Sequence, residues 1–180
     1  PGTGRDAGYA GPPPSGDPFV SYDFLDACEA SGSAVPREGW AGRHLALEDE
    51  DGRVIGVMPL WLKAHSQGEY VFDHSWADAY ERAGGRYYPK LLGAVPFTPA
   101  TAPRFLSHPD ADAATVRQTL LQGALTLAER LGVSSLHVNF PDRADWDAMG
   151  EAGLLKRQDI QYIWRNGGYQ TFDDFLSALS

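Results

Sequence analysis

The sequence predicts an α/β protein in which a mixed central sheet is flanked by helices. Three observations lead to this fold class: residues 112–131 have the periodicity of a long amphipathic helix, short apolar runs typical of strands lie on both sides of it, and helical and strand segments alternate along the chain. A sheet covered by helices is the compact arrangement for that order of elements. The 180 residues, 43% of them hydrophobic, are enough for one domain with a substantial core.

The chain is expected to become ordered near residue 17. Residues 1–16 are rich in Gly, Pro, Ala and Ser and offer little apolar surface to bury, so we interpret them as a disordered arm or a cloning remnant. Residues 17–180 are then a single domain. Its first helix is predicted to begin after a cap at Ser21 and to end at Gly32.

A β-hairpin is predicted after this helix. Residues 43–48 alternate apolar and polar side chains, and residues 53–63 follow after an Asp-Gly turn. The second arm contains the run VIGVMPLWL, which is apolar on both faces, as expected for a central strand covered on both sides. Pro59 has no N–H group, so it must lie at a bulge or at a position without a ladder hydrogen bond.

The long helix is predicted to end at Gly132 and to lead into a buried strand at residues 134–140. Because side chains alternate along a strand, His137 and Asn139 share one of its faces. Asp142 is placed to cap the next helix.

The end of the chain predicts two more strands and a helix. The strands are expected at residues 154–157 and 160–165, where apolar residues recur at short intervals. The helix is expected to begin at Thr171, because Thr171 and Asp174 form a T-x-x-D capping box.

Residues 69–104 mix aromatic and charged side chains more densely than a core segment does, and such a mixture suits a cleft. Residues 70–72 have the composition of a strand, residues 76–83 that of a helix, and two glycines at 84–85 end the helix. Loops held on a rigid scaffold often carry the chemistry of a protein. The alternative is a tyrosine-rich loop that covers the core while its charges stay in solvent.

Composition and motifs exclude several function classes. The net charge of −9 argues against general nucleic-acid binding, which needs clustered Lys and Arg. We find no apolar run long enough to span a membrane and no basic leader, which predicts a cytoplasmic protein. The His, Cys and carboxylate residues lack metal-ligand spacing, so no metal is predicted. The sequence also lacks a nucleophile elbow, a P-loop and a dinucleotide fingerprint.

A resemblance to a known family is carried first by the run SSLHVNFPDRADWDAMGEAGLLKR, which is similar to the second half of a GNAT-type acyltransferase domain. Residues 45–63, the stretch EYVFDHSWADAYERAGGRYYPKLLGAVPFTP and the ending YQTFDDFLSALS make the similarity more particular. Over residues 17–180 the chain resembles the FemAB-like N-acyltransferases of bacteria, the peptidoglycan-biosynthesis type.

This resemblance implies a GNAT-like mixed sheet and the transfer of an acyl or aminoacyl group to an amine. The acceptor would be a small molecule or a peptide, and the donor an acyl-CoA or an aminoacyl-tRNA. Members of the family resemble two tandem GNAT-like halves, so the chain is expected to be the first half of a two-domain protein and to be inactive alone. A companion second domain or a homodimer would complete it.

The chain departs from the GNAT pattern at the donor site. CoA-dependent relatives carry a glycine-rich turn before the long helix, and its backbone amides hold the pyrophosphate. The matching stretch here, RFLSHPDADAAT, has no glycine and contains two acids. Acyl-CoA therefore stays a candidate cofactor whose usual binding motif is absent.

Amine acylation needs a base, donors for the oxyanion and a general acid. The candidates are Asp73 and Asp78 as base or amine anchor, Tyr87 and Tyr88 as acid or oxyanion donors, and Trp76, Tyr80, Lys90, His137 and Asn139 as substrate-binding residues. Each of these residues also has a structural explanation. An aspartate often caps a helix or lies on its solvent-exposed face, a tyrosine often packs against the core, and a strand histidine is often a hydrogen-bonded core residue.

A second function class also agrees with these features. The altered stretch before the long helix suggests a GNAT-like module that has lost donor binding and recognises a peptide, a cell-wall precursor or a partner domain. Micromolar binding of CoA or acyl-CoA would separate the enzyme from the module.

Overall fold

The computed structural model of the chain describes residues 16–158, 160, 162 and 164–179. Five α-helices lie within these residues: α1 (Tyr22–Ala30), α2 (His74–Arg82), α3 (Ala113–Leu131), α4 (Arg143–Glu151) and α5 (Phe172–Ser177). Seven strands accompany them: β1 (Trp40–Gly42), β2 (Leu45–Glu48), β3 (Val54–Met58), β4 (Trp61–Lys63), β5 (Lys90–Gly93), β6 (Leu106–Ser107) and β7 (Leu136–Val138). The fold is mixed α/β and consistent with the GNAT-like class that the resemblance implies.

The helices begin where capping residues in the sequence predict. The Ser21 hydroxyl accepts a hydrogen bond from the backbone N–H of Phe24, and the Asp142 carboxylate accepts one from Asp145. Thr171 and Asp174 form the predicted reciprocal capping box. Each cap satisfies an N–H group that has no partner inside the helix, which is why these local signals are informative.

The predicted hairpin is present as β2 and β3, but its second arm is not one continuous strand. Residues Pro59 and Leu60 separate β3 from β4, and the two strands belong to different sheets. Pro59 cannot donate a ladder hydrogen bond, and the Leu60 N–H donates instead to Nδ1 of His44 at 3.0 Å. The predicted single central sheet is therefore divided at Pro59.

One sheet has the strand order β1-β4-β5-β7 and the other β2-β3-β6. In the first sheet β4 pairs antiparallel with β1 and β5, whereas β5 and β7 are parallel. All four residues of β5 are buried, as expected for a central strand. Lys90, a residue of the candidate site, is the first residue of this strand.

The main core lies between α3 and both sheets. Its buried members are Met58, Leu60, Leu91, Phe105, Val116, Leu120, Leu121, Ala124 and Met149. A second cluster contains Trp40 and Trp61, whose rings meet edge to face with centroids 5.7 Å apart. Each fully buried large apolar side chain stabilises the fold by about 1.5–3 kcal/mol. Consecutive β5 residues Leu91 and Leu92 point into the two different clusters, so β5 is covered on both faces.

Three predicted strand segments are not strands. Residues 70–72 are irregular because Tyr70 has a φ of 56°, which lies outside the extended region. Residues 154–157 form no strand, and Leu155 is 98% exposed. Of residues 160–165, positions 161 and 163 lie outside the described residues, and the others are not in a strand. The arm predicted at residues 1–16 lies outside the described residues except for Gly16.

Candidate functional site

Two lysines lie side by side on the central sheet. Lys63 and Lys90 are directly opposite each other in the antiparallel pair of β4 and β5, and both are fully buried. Directly opposed residues of such a pair point to the same face of the sheet. A buried ammonium group is costly unless it is hydrogen-bonded or paired with an acid, so this face needs carboxylates.

Residues 64–89, which we call the insert, connect β4 to β5 and supply those carboxylates. Lys90 Nζ donates to Asp73 Oδ2 at 2.6 Å, to Glu69 Oε2 at 2.8 Å and to Ser66 Oγ at 2.9 Å. The three protons of the ammonium group are thereby used. Glu69 and Asp73 are as buried as the lysine, so the network is closed to solvent.

Asp73 precedes α2 at the N-cap position, but its carboxylate does not cap the helix. The carboxylate turns instead to Lys90 and accepts a hydrogen bond from the Tyr87 hydroxyl at 2.8 Å. Burial alone would raise the pKa of Asp73, but hydrogen bonds from Lys90, Ser66 and Tyr87 outweigh it and lower the pKa to about 2. Asp73 is thus an ionised anchor and a weak base.

The two tyrosines occupy different environments. Tyr87 is buried, and burial together with the Asp73 carboxylate raises the pKa of its phenol. Tyr88 is half-buried, and its hydroxyl lies 2.7 Å from Ser66 Oγ and 3.5 Å from Asp73 Oδ1. Burial also raises the pKa of Tyr88, so both phenols keep their protons near neutral pH. Tyr88 is the more accessible hydrogen-bond donor.

Lys63 and Glu69 are paired less completely than Lys90. Lys63 Nζ donates to the Gln67 carbonyl at 3.2 Å and lies 3.6 Å from the centre of the Trp40 ring. Burial lowers the pKa of Lys63 to about 8. Glu69 Oε1 is buried and has no hydrogen-bond partner among the described residues, and burial raises the pKa of this carboxyl.

His137 and Asn139, which share one face of β7, belong to different environments. The His137 ring lies edge to face against Tyr87 with centroids 6.2 Å apart. Burial, and then the nearby Lys90 charge, lowers the pKa of His137 to about 4, so its imidazole is neutral at pH 7. Asn139 is buried, and its carbonyl accepts from Arg104 Nε at 3.0 Å, which places it in a second polar network.

The remaining predicted residues lie on the outside of α2. Trp76 and Tyr80 are 62% and 46% exposed, and Asp78 is exposed as well. Tyr80 packs edge to face on Tyr87 with centroids 6.1 Å apart, so it borders the network without a hydrogen bond to it. The structure therefore brings Asp73, Tyr87, Tyr88, Lys90 and His137 together and leaves Trp76, Asp78 and Tyr80 around them.

Sequence patterns do not predict three residues of this site. Lys63, Ser66 and Glu69 complete the network, but no short motif joins them. The one signal in the sequence is that Lys63 and Lys90 sit next to apolar strand runs, where a lysine is unusual. That signal becomes specific only when β4 is known to pair with β5.

A second buried polar network lies where β7 ends. Arg104 is buried, and its guanidinium donates to the carbonyls of Ala100, Ala102, Pro103 and Asn139. The Asp145 carboxylate accepts from the backbone N–H groups of Arg104 and Phe105, at 2.6 and 3.2 Å, and from Arg117 Nε at 2.6 Å. Burial lowers the pKa of Arg104 to about 10, so it remains cationic.

The central strands β5 and β7 do not leave a gap along their paired length. β5 and β7 pair from Leu91 to Gly93, and Asn139 N–H continues the ladder to the Gly93 carbonyl at 2.9 Å. The strands part only beyond this point, where Phe140 and Pro141 pair with Ala102. The insert packs on this sheet, and its acids Glu69 and Asp73 are buried against Lys90 of β5.

The start of α3 does not fit the pyrophosphate of CoA. The Asp112 carboxylate accepts from the Thr115 N–H at 2.8 Å and so uses a donor that would face the phosphate. Asp110 lies in the same turn, 3.4 Å from Arg53. These acids oppose the binding of a further anion at this end of α3.

Stability should depend on pH through His137. The unfolded imidazole has a pKa near 6.5 and the folded one about 4, so the unfolded chain takes up a proton first as the pH falls. We expect the free energy of unfolding to fall between pH 6.5 and 4 by on the order of 2 kcal/mol, measured by urea unfolding. His137→Gln should flatten this slope, whereas His74→Gln, which removes an exposed histidine, should not; equal slopes would contradict the assignment.

Comparison with known proteins identifies the family of this chain. No curated protein and no solved structure matches the chain. Among the described residues, no helix combines the length and apolar character needed to cross a membrane. A family model described as FemAB-like, peptidoglycan biosynthesis/recognition, matches residues 7–180. Since that match covers nearly the whole chain, the protein belongs to the FemAB-like family of peptidoglycan biosynthesis and recognition.

Proposed function

We propose that this chain is the first half of an N-acyltransferase that transfers an acyl or aminoacyl group to an amine of a peptidoglycan-precursor peptide. The observation that supports it best is the Tyr88 hydroxyl beside Ser66 and the Asp73 carboxylate, because Tyr88 is a protonated donor and is half-buried where Lys90, Glu69 and Asp73 are buried. Membership of the FemAB-like family is the second support.

The half-buried Tyr88 and the buried groups of the network are proposed to have different roles in the reaction. When the amine attacks the donor carbonyl, a C–N bond forms and the carbonyl oxygen becomes an oxyanion, which Tyr88 O–H can stabilise by a hydrogen bond. Collapse of the intermediate breaks the bond to the leaving oxygen, which takes up the proton that the attacking amine gives up. Because the start of α3 does not fit CoA, we propose an aminoacyl ester, such as aminoacyl-tRNA, as the donor.

Asp73 is proposed as a positioning residue. Its pKa of about 2 is far below the operating pH, and a general base works best when its pKa is near that pH. It fixes Tyr87 and Lys90, and through Lys90 it fixes Ser66, the partner of Tyr88. His137 stays neutral above about pH 4 and can accept a hydrogen bond from the incoming amine.

Substitution of Tyr88 tests this function. The assay uses a nucleotide-linked muramyl peptide with a free side-chain amine and labelled aminoacyl-tRNA, with this chain and with the full-length protein. We expect Tyr88→Phe to lower kcat about 100-fold, because one oxyanion donor is lost. Tyr22→Phe, which changes an exposed tyrosine of α1, is the matched control and should retain the rate. A wild-type rate for Tyr88→Phe would remove this tyrosine from the mechanism.

The second candidate function is recognition without transfer. Two observations favour it: acids occupy the start of α3, and two carboxylates and the Ser66 hydroxyl of the insert already use all three protons of Lys90. In this case the chain would bind the muramyl peptide and the full-length protein would show no transfer with either aminoacyl-tRNA or acyl-CoA. Calorimetry with the same peptide, followed by the transfer assay, distinguishes the two functions.

A further inference from the structure

A cavity of about 320 Å³, which we call the α3 cavity, lies between the β2–β3 turn and the segment that joins β6 to α3. Its floor is apolar, since Val116 is buried in the main core and Leu47 and Ile55 pack against that core. Its rim is polar and includes Arg53 and His108. Sites for small ligands have volumes of about 300–1,000 Å³ and combine apolar walls with a few polar groups. The α3 cavity therefore has the size and character of a site for one small molecule.

The α3 cavity is separate from the lysine network of the candidate site. Its strand residues come from β2 and β3, which belong to the β2-β3-β6 sheet, whereas Lys63 and Lys90 lie on β4 and β5 of the other sheet. Its lining residues fall within positions 47–55 and 108–116, outside the insert. A ligand in this cavity would thus be distinct from the substrates of the proposed transfer reaction.

Arg53 and His108 bring two N–H donors together on the rim. The Asp110 N–H donates to His108 Nδ1 at 3.1 Å, which assigns the proton of the neutral ring to Nε2. Arg53 Nη2 lies 2.7 Å from Nε2 but only 3.4 Å from Nδ1, so it is not in line with the outward direction in which Nε2 forms hydrogen bonds. An N–H of the guanidinium thus meets an N–H of the imidazole. A carboxylate is the group that accepts from both.

Within the chain, the carboxylate nearest to these donors is that of Asp110. Its Oδ2 lies 3.4 Å from Arg53 Nη2, and the side chains of both residues are more than half exposed. Exposed ion pairs of this kind contribute little to stability. A ligand carboxylate can therefore displace Asp110 from Arg53 without disturbing the fold.

The rim also offers acceptors for a cation. Asp49 and Asp112 line the cavity, and Asp49 accepts the backbone N–H groups of Asp51 and Arg53 with Oδ1, so that Oδ2 is a second acceptor. Three aspartates and one arginine line the cavity, and the excess of negative charge opposes a ligand that is only anionic. A zwitterion satisfies the donors and the acceptors together.

We propose that the α3 cavity binds a free α-amino acid with an apolar side chain. The ligand carboxylate lies between Arg53 and His108, its ammonium group lies at Asp49 and Asp112, and its side chain rests on the apolar floor. An α-amino acid carries both charges on the carbon that bears its side chain, which matches a rim of both signs around an apolar floor. A peptide separates the two charges, and an amine or a fatty acid lacks one of them. Binding here does not depend on the proposed transfer reaction.

Amide chemical shifts of the isotope-labelled chain test the site with L-leucine as the probe. We expect saturable shifts within residues 47–55 and 108–116, with a dissociation constant of about 1 mM or tighter, and none in the insert. Saturable shifts in the insert instead would place the amino acid at the lysine network, and a titration without saturation would remove the site. Either result overturns the proposal, and neither readout requires transfer activity.

Analogues of leucine test each part of the ligand. Isocaproate lacks the ammonium group, isoamylamine lacks the carboxylate, and glycine lacks the apolar side chain. We expect each to bind at least about tenfold more weakly than L-leucine, because a charged hydrogen-bonding group or the apolar burial is lost. Leucylglycine should also bind more weakly. A tighter complex with this dipeptide would assign the cavity to a peptide, and isoamylamine that binds as tightly as leucine would show that the acids alone hold a cation. Both outcomes contradict the proposal.

Variants at the rim complete the test, and both positions are exposed, so the fold should be retained. Arg53→Gln should weaken L-leucine binding at least about tenfold, and Arg37→Gln, which changes an exposed arginine outside the cavity, is the matched control. Asp112→Asn keeps the oxygen that accepts the Thr115 N–H but loses the charge, so α3 should begin as before while leucine binding weakens several-fold. Its control is Asp23→Asn in the first turn of α1, which should leave binding unchanged. Wild-type affinity of Arg53→Gln for L-leucine would overturn the proposal.

Discussion

Lys90→Met is expected to lower the free energy of unfolding by about 3–5 kcal/mol, the usual cost of removing one partner from a buried ion pair. The substitution leaves the Asp73 and Glu69 carboxylates buried without the ammonium group that both contact. Methionine fills nearly the same volume, so the loss is electrostatic and not a cavity effect. Urea unfolding followed by circular dichroism at pH 7 gives the value.

Two further variants separate the charge effect from the loss of a long side chain. Lys90→Met with Glu69→Gln and Asp73→Asn should recover much of the stability, because neutral amides tolerate burial better than carboxylates. Lys156→Met is the exposed control, since Lys156 pairs with Asp147 at the surface, and it should cost less than about 1 kcal/mol. A loss of similar size for Lys90→Met and Lys156→Met would contradict the buried network.

The helices could be predicted because their signals are local. Ser21, Asp142 and Thr171 each cap a helix three residues from the N–H they satisfy, and the α3 stripe repeats with the helical period. The Lys63–Lys90 pair could not be predicted in this way, because it depends on the register of two strands joined by the long insert. Asp73 illustrates the difference: its position before α2 predicts a cap, but a buried lysine from a distant strand takes its carboxylate.

The order of elements predicts one central sheet, and the continuously apolar run VIGVMPLWL predicts a single strand within it, because periodicity cannot show where such a run changes partner. Pro59 is the local signal, since a residue without an N–H group interrupts the ladder. The structure uses that interruption to direct β3 to one sheet and β4 to the other. The site depends on this division, because β4 reaches β5 only after leaving the β3 sheet.

Asp145 is a second residue whose local and tertiary roles differ. Its place in the first turn of α4 agrees with the preference for acids near a helix N-terminus. Its carboxylate, however, points away from the helix to the backbone of Arg104 and Phe105 and to Arg117. These contacts join α4, α3 and the segment before β6, so one carboxylate supports the region where β7 ends.

Asp145→Ala is therefore expected to cost about 3–5 kcal/mol, because two buried backbone N–H groups lose their acceptor at about 1–3 kcal/mol each and the buried Arg104 cation loses a nearby negative charge. Asp145→Asn keeps one acceptor oxygen and should cost less. Asp147→Ala, which removes a half-buried aspartate of the same helix that pairs with Arg143 and Lys156 at the surface, is the matched control and should stay within about 1 kcal/mol of the wild type. Urea unfolding of the three variants checks the order, and an Asp145→Ala protein as stable as Asp147→Ala would show that the backbone of Arg104 and Phe105 finds other acceptors.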